Sequence, residues 1–199
     1  MERRSLTAKG QETRERILLE GRKLLVAYGN GGLTMREVAK RCAIKLGNLQ
    51  YYFASREALL EAIISNEAEQ DVATIRGVFA SNKSSRAKLQ AIIDGLLQRW
   101  RGESAVVFST LNLYSLHDAN FKALYTRIYA AHYKALEEAI AHVSPDASRK
   151  ECARRARLMS ALIDGAAYQT DVGRHASFMT DVASHAYSIA LGDNPAINR

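Results

Sequence analysis

The sequence predicts an all-α protein of about nine helices. Apolar residues recur at helical spacings of three and four, and no run of alternating β-branched residues indicates a strand. The two prolines, Pro145 and Pro195, lie outside these periodic segments. Turn-forming stretches such as Gly29–Gly32 and Ser144–Asp146 separate the segments, so we expect short loops between helices.

The positive charge is concentrated at the N-terminus. Residues 1–56 contain 12 lysines and arginines against 5 acidic residues, whereas residues 57–199 contain 16 of each kind. A basic segment followed by an electrically neutral body is typical of a small polyanion-binding module joined to a second domain. A solvated basic face is the alternative, and charge alone does not separate the two.

The first two predicted helices differ in length. The first spans about residues 11–28 and ends at Gly29, a residue suited to a helix C-terminus. Thr34 and Glu37 have the spacing of a capping box, which predicts the start of a second helix of barely two turns. A helix of that length is unstable alone, so we expect it to belong to a compact cluster.

A third short helix is predicted over Lys45–Phe53, with Leu49 and Phe53 facing inward. Its outward side chains combine a cation, two amides and two phenols: Lys45, Asn48, Gln50, Tyr51 and Tyr52. Such groups can contact phosphates and read base edges. Two short helices with a base-complementary second face predict a helix-turn-helix; an amphipathic helix with an ordinary solvated face is the alternative.

A long helix is predicted from about residue 55 to residue 80, with Ser55 as its N-cap. It begins beside the expected DNA-reading segment and continues into the remainder of the chain. We therefore expect it to connect two domains mechanically.

The ordered N-terminal pattern resembles the TetR family of transcriptional regulators. The resemblance is carried by Thr13–Leu18, Gly29, Leu33–Ala39, Gly47–Phe53 and Ser55–Leu60. It implies a DNA-binding domain of residues 1–54 and an effector-binding and dimerisation domain of residues 55–199.

The resemblance also implies roles for individual residues. Side chains expected to hold phosphates are Thr34, Lys45, Tyr51, Tyr52 and Arg56. Residues expected to face the major groove are Leu46, Gly47, Asn48 and Gln50. Gln50 stands where the family more often has tyrosine, and Leu46 replaces a common basic residue, so base preferences cannot be transferred from relatives.

In the family the last two long helices form a four-helix bundle across a two-fold axis. Here they are predicted over residues 148–171 and 176–191, each with one side of apolar or small residues. The candidate dimer-interface residues are Ala156, Met159, Ile163, Ala167, Phe178, Val182, Ala186 and Ile189. Either stripe also fits a core within one chain.

A candidate effector site lies between residues 84 and 143, where aromatic side chains are frequent. Its candidate residues are Trp100, Phe108, Asn112, Tyr125, Tyr129 and Tyr133. The three tyrosines recur every fourth residue and share a helix face, and their hydroxyls need partners if they are buried. Ordinary packing in a helical core is the alternative for each residue.

Other kinds of site have little support in the sequence. Cys42 and Cys152 have no nearby partner at metal-ligand spacing, and the five histidines form no ligand set, so we expect no metal and no cofactor. No catalytic triad, phosphate loop or carboxylate pair suggests an enzyme. No signal peptide or membrane-spanning run is recognisable, so we expect a cytoplasmic protein.

The sequence thus predicts a ligand-responsive, homodimeric DNA-binding transcription regulator. We expect a repressor that a small apolar or aromatic molecule releases from a palindromic operator. The family resemblance is the only reason to prefer a repressor over an activator. The alternatives are a helical protein-binding adaptor and a constitutive DNA-binding protein without a small-molecule ligand.

Overall fold

A computed structural model describes residues 7–100, 102–169 and 177–193, except for the side chain of Trp100. The described residues form nine α-helices and no strand, which confirms the predicted all-α fold. In chain order the helices are α1 (Ala8–Gly32), α2 (Met35–Arg41), α3 (Leu46–Tyr52), α4 (Arg56–Phe79), α5 (Ser85–Trp100), α6 (Glu103–Ser115), α7 (Ala119–Val143), α8 (Arg149–Ala167) and α9 (Phe178–Leu191).

The chain forms two compact units, which do not coincide with single stretches of sequence. The first comprises Met1–Glu67 and Val106–Leu124, and the second comprises Ala68–Ala105 and Tyr125–Arg199. The first unit therefore contains α1–α3 together with the beginning of α4 and most of α6. The functional boundary between residues 54 and 55 stays a prediction.

The first unit has a core of aliphatic side chains from α1, α2, α3 and the beginning of α4. Ile17, Leu25, Val38, Leu49 and Leu59 are all fully buried. The helix α1 packs on α2, and α2 packs on α3. Burial of these side chains holds two helices of 7 residues each, which are too short to be stable alone.

Two turns in this unit have left-handed backbone. Gly29 has φ 64° and interrupts α1 close to the C-terminus expected from the sequence. Ala43 has φ 50° in the turn that joins α2 to α3. The amides of Ala43 and Ile44 donate to the carbonyls of Lys40 (3.1 Å) and Ala39 (3.0 Å), the pattern of a Schellman cap.

The second unit is built around α5, α8 and α9, which pack on one another. Leu136 of α7 joins Ile93, Met159, Ile163 and Ala186 in its core, and all five are buried. The Ser148 hydroxyl caps α8 by accepting from the Glu151 amide at 3.2 Å. The predicted ends of the last two helices at residues 170–171 and 176 lie outside the described residues.

Among the described residues, no helix combines the length and the apolarity that crossing a membrane would need.

Candidate DNA-binding and effector sites

The start of α2 is fixed by Thr34. Its side-chain oxygen accepts from the Glu37 amide at 3.2 Å. The reciprocal half of the expected capping box does not form, since the Thr34 amide donates to the Gly32 carbonyl at 3.0 Å. The Glu37 carboxylate lies instead 3.7 Å from the guanidinium of Arg41. Thr34 is nevertheless exposed at a helix N-terminus, where it can reach a phosphate.

The helix α3 presents the predicted reading face to solvent. Leu49 is fully buried and Phe53 nearly so, and together they seat the helix on the core. The exposed residues are Lys45, Gly47, Asn48, Gln50 and Tyr51, while Leu46 and Tyr52 are partly exposed. The structure thus brings seven of the predicted DNA-binding residues together on one short segment.

The two tyrosines of α3 support each other. Their rings meet edge to face with centroids 5.2 Å apart. Tyr51 retains 69% of its surface, so most of its ring and its hydroxyl are open to a partner. Behind the helix, the Arg14 guanidinium lies 5.4 Å from the centre of the Phe53 ring.

Arg36 and Lys40 are exposed cations on α2. Sequence reasoning did not select them individually. The sequence feature that pointed to these cations was the surplus of positive charge in residues 1–56. That surplus identified the basic module but did not show which of its lysines and arginines face DNA. Nucleic-acid binding depends strongly on such cations.

Arg56 is placed differently from the other predicted phosphate contacts. Its Nε donates to the Leu33 carbonyl at 2.8 Å, and its Nη2 donates to the Asn30 carbonyl at 2.6 Å. Its Nη1 donates to the Tyr114 hydroxyl at 3.3 Å. The side chain is therefore engaged within the first unit.

The predicted effector residues fall in both units. Phe108 and Asn112 belong to the first unit, where Phe108 is buried and Asn112 partly buried. Tyr125, Tyr129 and Tyr133 belong to the second. The side chain of Trp100 lies outside the described residues.

The three tyrosines form a continuous aromatic stack on α7. The ring centres of Tyr125 and Tyr129 are 4.4 Å apart, and those of Tyr129 and Tyr133 are 5.6 Å apart. The Arg157 guanidinium lies 5.7 Å from the centre of the Tyr133 ring, in the geometry of a cation–π contact. The stack already accepts one cation on its face.

The structure adds an acidic residue that sequence reasoning missed. Asp164 of α8 accepts from the Tyr129 hydroxyl at 3.1 Å and from the Ser160 hydroxyl at 3.5 Å. Among the residues that the structure describes, no lysine, arginine or histidine is ion-paired with it. No sequence pattern pointed to this pairing, because 35 residues separate the two partners.

Burial sets the protonation of this cluster. It raises the pKa of Asp164 to about 6, even though the hydrogen bonds from Tyr129 and Ser160 favour the ionised form. It also raises the pKa of Tyr129, which keeps that hydroxyl protonated and able to donate. Burial lowers the pKa of the neighbouring His132 to about 4, so this imidazole is neutral at physiological pH.

A separate groove of about 690 Å³ lies between α5 and α9 within the second unit. Its walls combine apolar and polar side chains and contain a single carboxylate: Gln90, Asp94, Leu97, Gln98, Met179, Thr180, Ala183, Ser184 and Tyr187. None of the predicted effector residues lines it.

The predicted dimer interface requires a correction. The following residues are at most 8% exposed and form the core of this chain: Ala156, Met159, Ile163, Ala167, Val182 and Ala186. A side chain without accessible surface cannot contact a second chain, so the periodic stripe marks the internal α8–α9 packing. Phe178 and Ile189 remain partly exposed.

Within the described ranges, no group of three or more histidine, cysteine, aspartate or glutamate side chains could hold a metal ion. Cys42 and Cys152 are buried free thiols.

Two family models match the chain. Residues 17–63 match the model for bacterial regulatory proteins of the tetR family, and residues 85–186 match that for the C-terminal part of BetI-type transcriptional repressors. The second match alone covers half of the chain.

Curated relatives agree with these matches. The regulator UidR of Escherichia coli K12 is 36% identical over 36% of this chain, and the match spans only 37% of its own length. The regulator BetI of Paraburkholderia xenovorans is 28% identical over 78% of this chain and 80% of its own.

The fold also matches solved structures. One is a transcriptional regulator from Saccharomonospora viridis in complex with choline, with a TM-score of 0.72 and 17% identity over 88% of this chain and 94% of that one. The family models, the exposed face of α3 and the shared fold lead to one conclusion: the chain belongs to the TetR family of bacterial transcriptional regulators, which bind DNA and are not enzymes.

Proposed function

We propose that this regulator is a homodimeric repressor that binds a palindromic operator and is released from it by a small organic cation with an apolar body. It acts in the cytoplasm, where its operator lies. The observation that carries the effector assignment is the half-buried carboxylate of Asp164 against the tyrosine stack, without a cationic partner among the described residues.

On the DNA side, α3 of each subunit reads one half-site. Because α3 has 7 residues, it reaches only a few base pairs, and two copies related by a two-fold axis are needed for useful specificity. Thr34, Lys45, Tyr51 and Tyr52 are assigned to phosphates. Base reading is assigned to the partly exposed Leu46 and to the exposed Gly47, Asn48 and Gln50.

A binding-site selection tests this division. Gln50→Ala should relax the preference at one base position by about 1–3 kcal/mol, whereas Tyr52→Phe should weaken binding to all sequences. An unchanged selection profile for Gln50→Ala would remove the base-reading role from that residue.

Dimerisation is assigned to the outer face of α8, because its inner face is used within the chain. Leu158 is 38% exposed, and Ala161, Leu162 and Gly165 follow it at helical spacing with accessible surface. Small residues allow a second helix to approach closely. Leu158→Glu should shift the protein from dimer to monomer in ultracentrifugation, and an unchanged dimer would exclude this face.

On the effector side, aromatic rings and a carboxylate together are the groups that recognise an organic cation. Tyr125, Tyr129 and Tyr133 supply the rings, and Asp164 supplies the charge that a bound cation would neutralise. The choline complex of the Saccharomonospora viridis regulator supports this ligand class for a protein of the same fold.

Calorimetry with choline and tetramethylammonium tests the effector site. Asp164→Asn should weaken binding by about tenfold or more, as expected when a charged partner is removed. The matched control is Asp94→Asn, which removes the carboxylate of the α5–α9 groove and should leave binding unchanged. Loss of binding in Asp94→Asn alone would place the cation in the groove.

Operator DNA completes the test. A typical coupling of about 1–3 kcal/mol would lower operator affinity about 5–150-fold, and the operator would lower ligand affinity by the same factor. A cation that binds equally well with and without operator is not the effector. If neither cation binds, the effector belongs instead to the class of uncharged apolar molecules. If no small molecule binds at all, the protein is a constitutive DNA binder.

A further inference from the structure

All three nitrogens of the Arg56 guanidinium are engaged inside the first unit. The Nε and Nη2 groups donate to the carbonyls of Leu33 and Asn30, at 2.8 Å and 2.6 Å, and Nη2 also contacts the side-chain oxygen of Asn30. The Nη1 group donates to the Tyr114 hydroxyl at 3.3 Å and lies 3.7 Å from the carboxylate of Glu57.

Tyr114 is the second member of this polar cluster. Its hydroxyl oxygen accepts from the Asn30 side-chain amide at 2.6 Å as well as from Arg56. Its ring is held by Phe121, with ring centres 4.8 Å apart, and Phe121 is 1% exposed. The hydroxyl is therefore presented to Asn30 and Arg56 by a well-packed ring.

The cluster joins segments that flank the recognition helix on both sides. Asn30 lies in the interrupted end of α1, and Leu33 lies in the turn between α1 and α2. Arg56 is the first residue of α4, only three positions after Phe53 ends α3. Hydrogen bonds among these segments restrict how α2 and α3 are held relative to the beginning of α4 and the end of α6.

We infer that Arg56, with Asn30 and Tyr114, positions the helix-turn-helix and that Arg56 does not neutralise a DNA phosphate. A phosphate contact would require N–H groups directed to solvent, and four of the five N–H groups of Arg56 already have acceptors in the chain. The conclusion departs from the role that family resemblance implies for this position. It concerns DNA binding alone and does not depend on any effector.

The dependence of DNA affinity on salt distinguishes the two roles. Each phosphate contact contributes about 0.9 to the slope of log affinity against log salt concentration. Fluorescence anisotropy with a duplex of arbitrary sequence, over a series of potassium chloride concentrations, measures this slope. Lys45→Met, which removes an exposed cation assigned to a phosphate, should lower the slope by about 0.9 per contact.

For Arg56→Met we expect the wild-type slope and nearly unchanged affinity for the arbitrary duplex. Affinity for an operator selected from a random library should fall about tenfold, because base contacts depend on accurate placement of α3 whereas non-specific binding does not. A slope lowered as in Lys45→Met would overturn the inference and assign Arg56 to a phosphate.

Tyr114→Phe provides a test that does not rely on the fold tolerating loss of Arg56. It removes one hydroxyl and no charge, so it should weaken operator binding in the same direction and leave the salt slope unchanged. The double variant should lose less than the two single losses combined, because both residues act in one cluster. Wild-type operator affinity in Tyr114→Phe would remove Tyr114 from the positioning role.

Discussion

Replacing Ala43 by glycine should stabilise the protein. Ala43 has φ 50° in the turn between α2 and α3, a conformation that costs a residue with a Cβ atom about 1–2 kcal/mol. Glycine removes that penalty but loses more conformational freedom on folding, by about 0.5–1 kcal/mol. The net expectation is a gain of about 0.5–1 kcal/mol.

Urea unfolding followed by far-UV circular dichroism measures this gain. The midpoint should rise without a change in slope, since the area exposed on unfolding stays the same. In a domain of this size a gain of 1 kcal/mol raises the melting temperature by about 2–4 °C. Protein concentration must be held constant, because the proposed dimerisation would make the apparent stability depend on it.

The matched control is Ala131→Gly, at an exposed position within α7. Glycine has no backbone advantage there and should destabilise by about 1 kcal/mol. DNA affinity should be retained in Ala43→Gly because the turn keeps its left-handed residue. A midpoint lowered to the same extent as in Ala131→Gly would refute the reasoning about backbone strain.

Three further predictions concern other sites. Gly47→Ala should stabilise the free protein by up to about 1 kcal/mol, since no atom lies within 4 Å of the added Cβ. The same variant should bind DNA more weakly in anisotropy titrations, because the added methyl group obstructs the close approach of α3 to the groove. The pKa of Asp164 is raised in the folded state to about 6, so its contribution to stability is present below about pH 4 and is lost as the pH rises through 6. Asp164→Asn should remove this pH dependence of the free energy of unfolding, which amounts to up to about 3 kcal/mol, when its unfolding curves are compared with those of the wild type. The opposite pH dependence, which comes from the lowered pKa of His132, should remain in both proteins. The guanidinium of Arg22 donates to the buried carboxylate of Glu67 at 2.6 Å and 3.2 Å. Glu67→Gln removes this carboxylate and should lower the free energy of unfolding in urea by about 3 kcal/mol. An unchanged unfolding midpoint would show that this ion pair contributes little.

The contacts of Arg56 show that the place of a residue in a motif does not determine its partners. Its place at the start of α4 matched the family pattern, and an arginine there can reach either DNA or the protein. Asn30 and Tyr114 decide the direction, and 84 residues separate them in the chain. No pattern within the N-terminal segment contains that information.

Local chemistry was sufficient to predict the framework of the DNA-binding surface. The hydroxyls of Thr34 and Ser55 accept from the amides three residues ahead, at 3.2 Å and 3.1 Å, as expected, whereas the Glu37 half of the predicted capping box does not form. Leu49 and Phe53 are buried beneath α3, as their spacing predicts. Tyr28 has the helical spacing of the buried Leu24 and Leu25, but it is 64% exposed and lies against Arg41.

Local patterns in the sequence predicted the helices found among the described residues, the side-chain caps and the polar face of α3, because each depends on hydrogen bonds and spacings within a few residues. Contacts between distant segments turn Arg56 inward and bring Asp164 to Tyr129. Such contacts also place Met159 and Ile163 in the core of this chain, while Leu158 stays on its surface. Each of these outcomes depends on contacts between distant segments, and helical periodicity identifies an apolar face without identifying the surface that covers it.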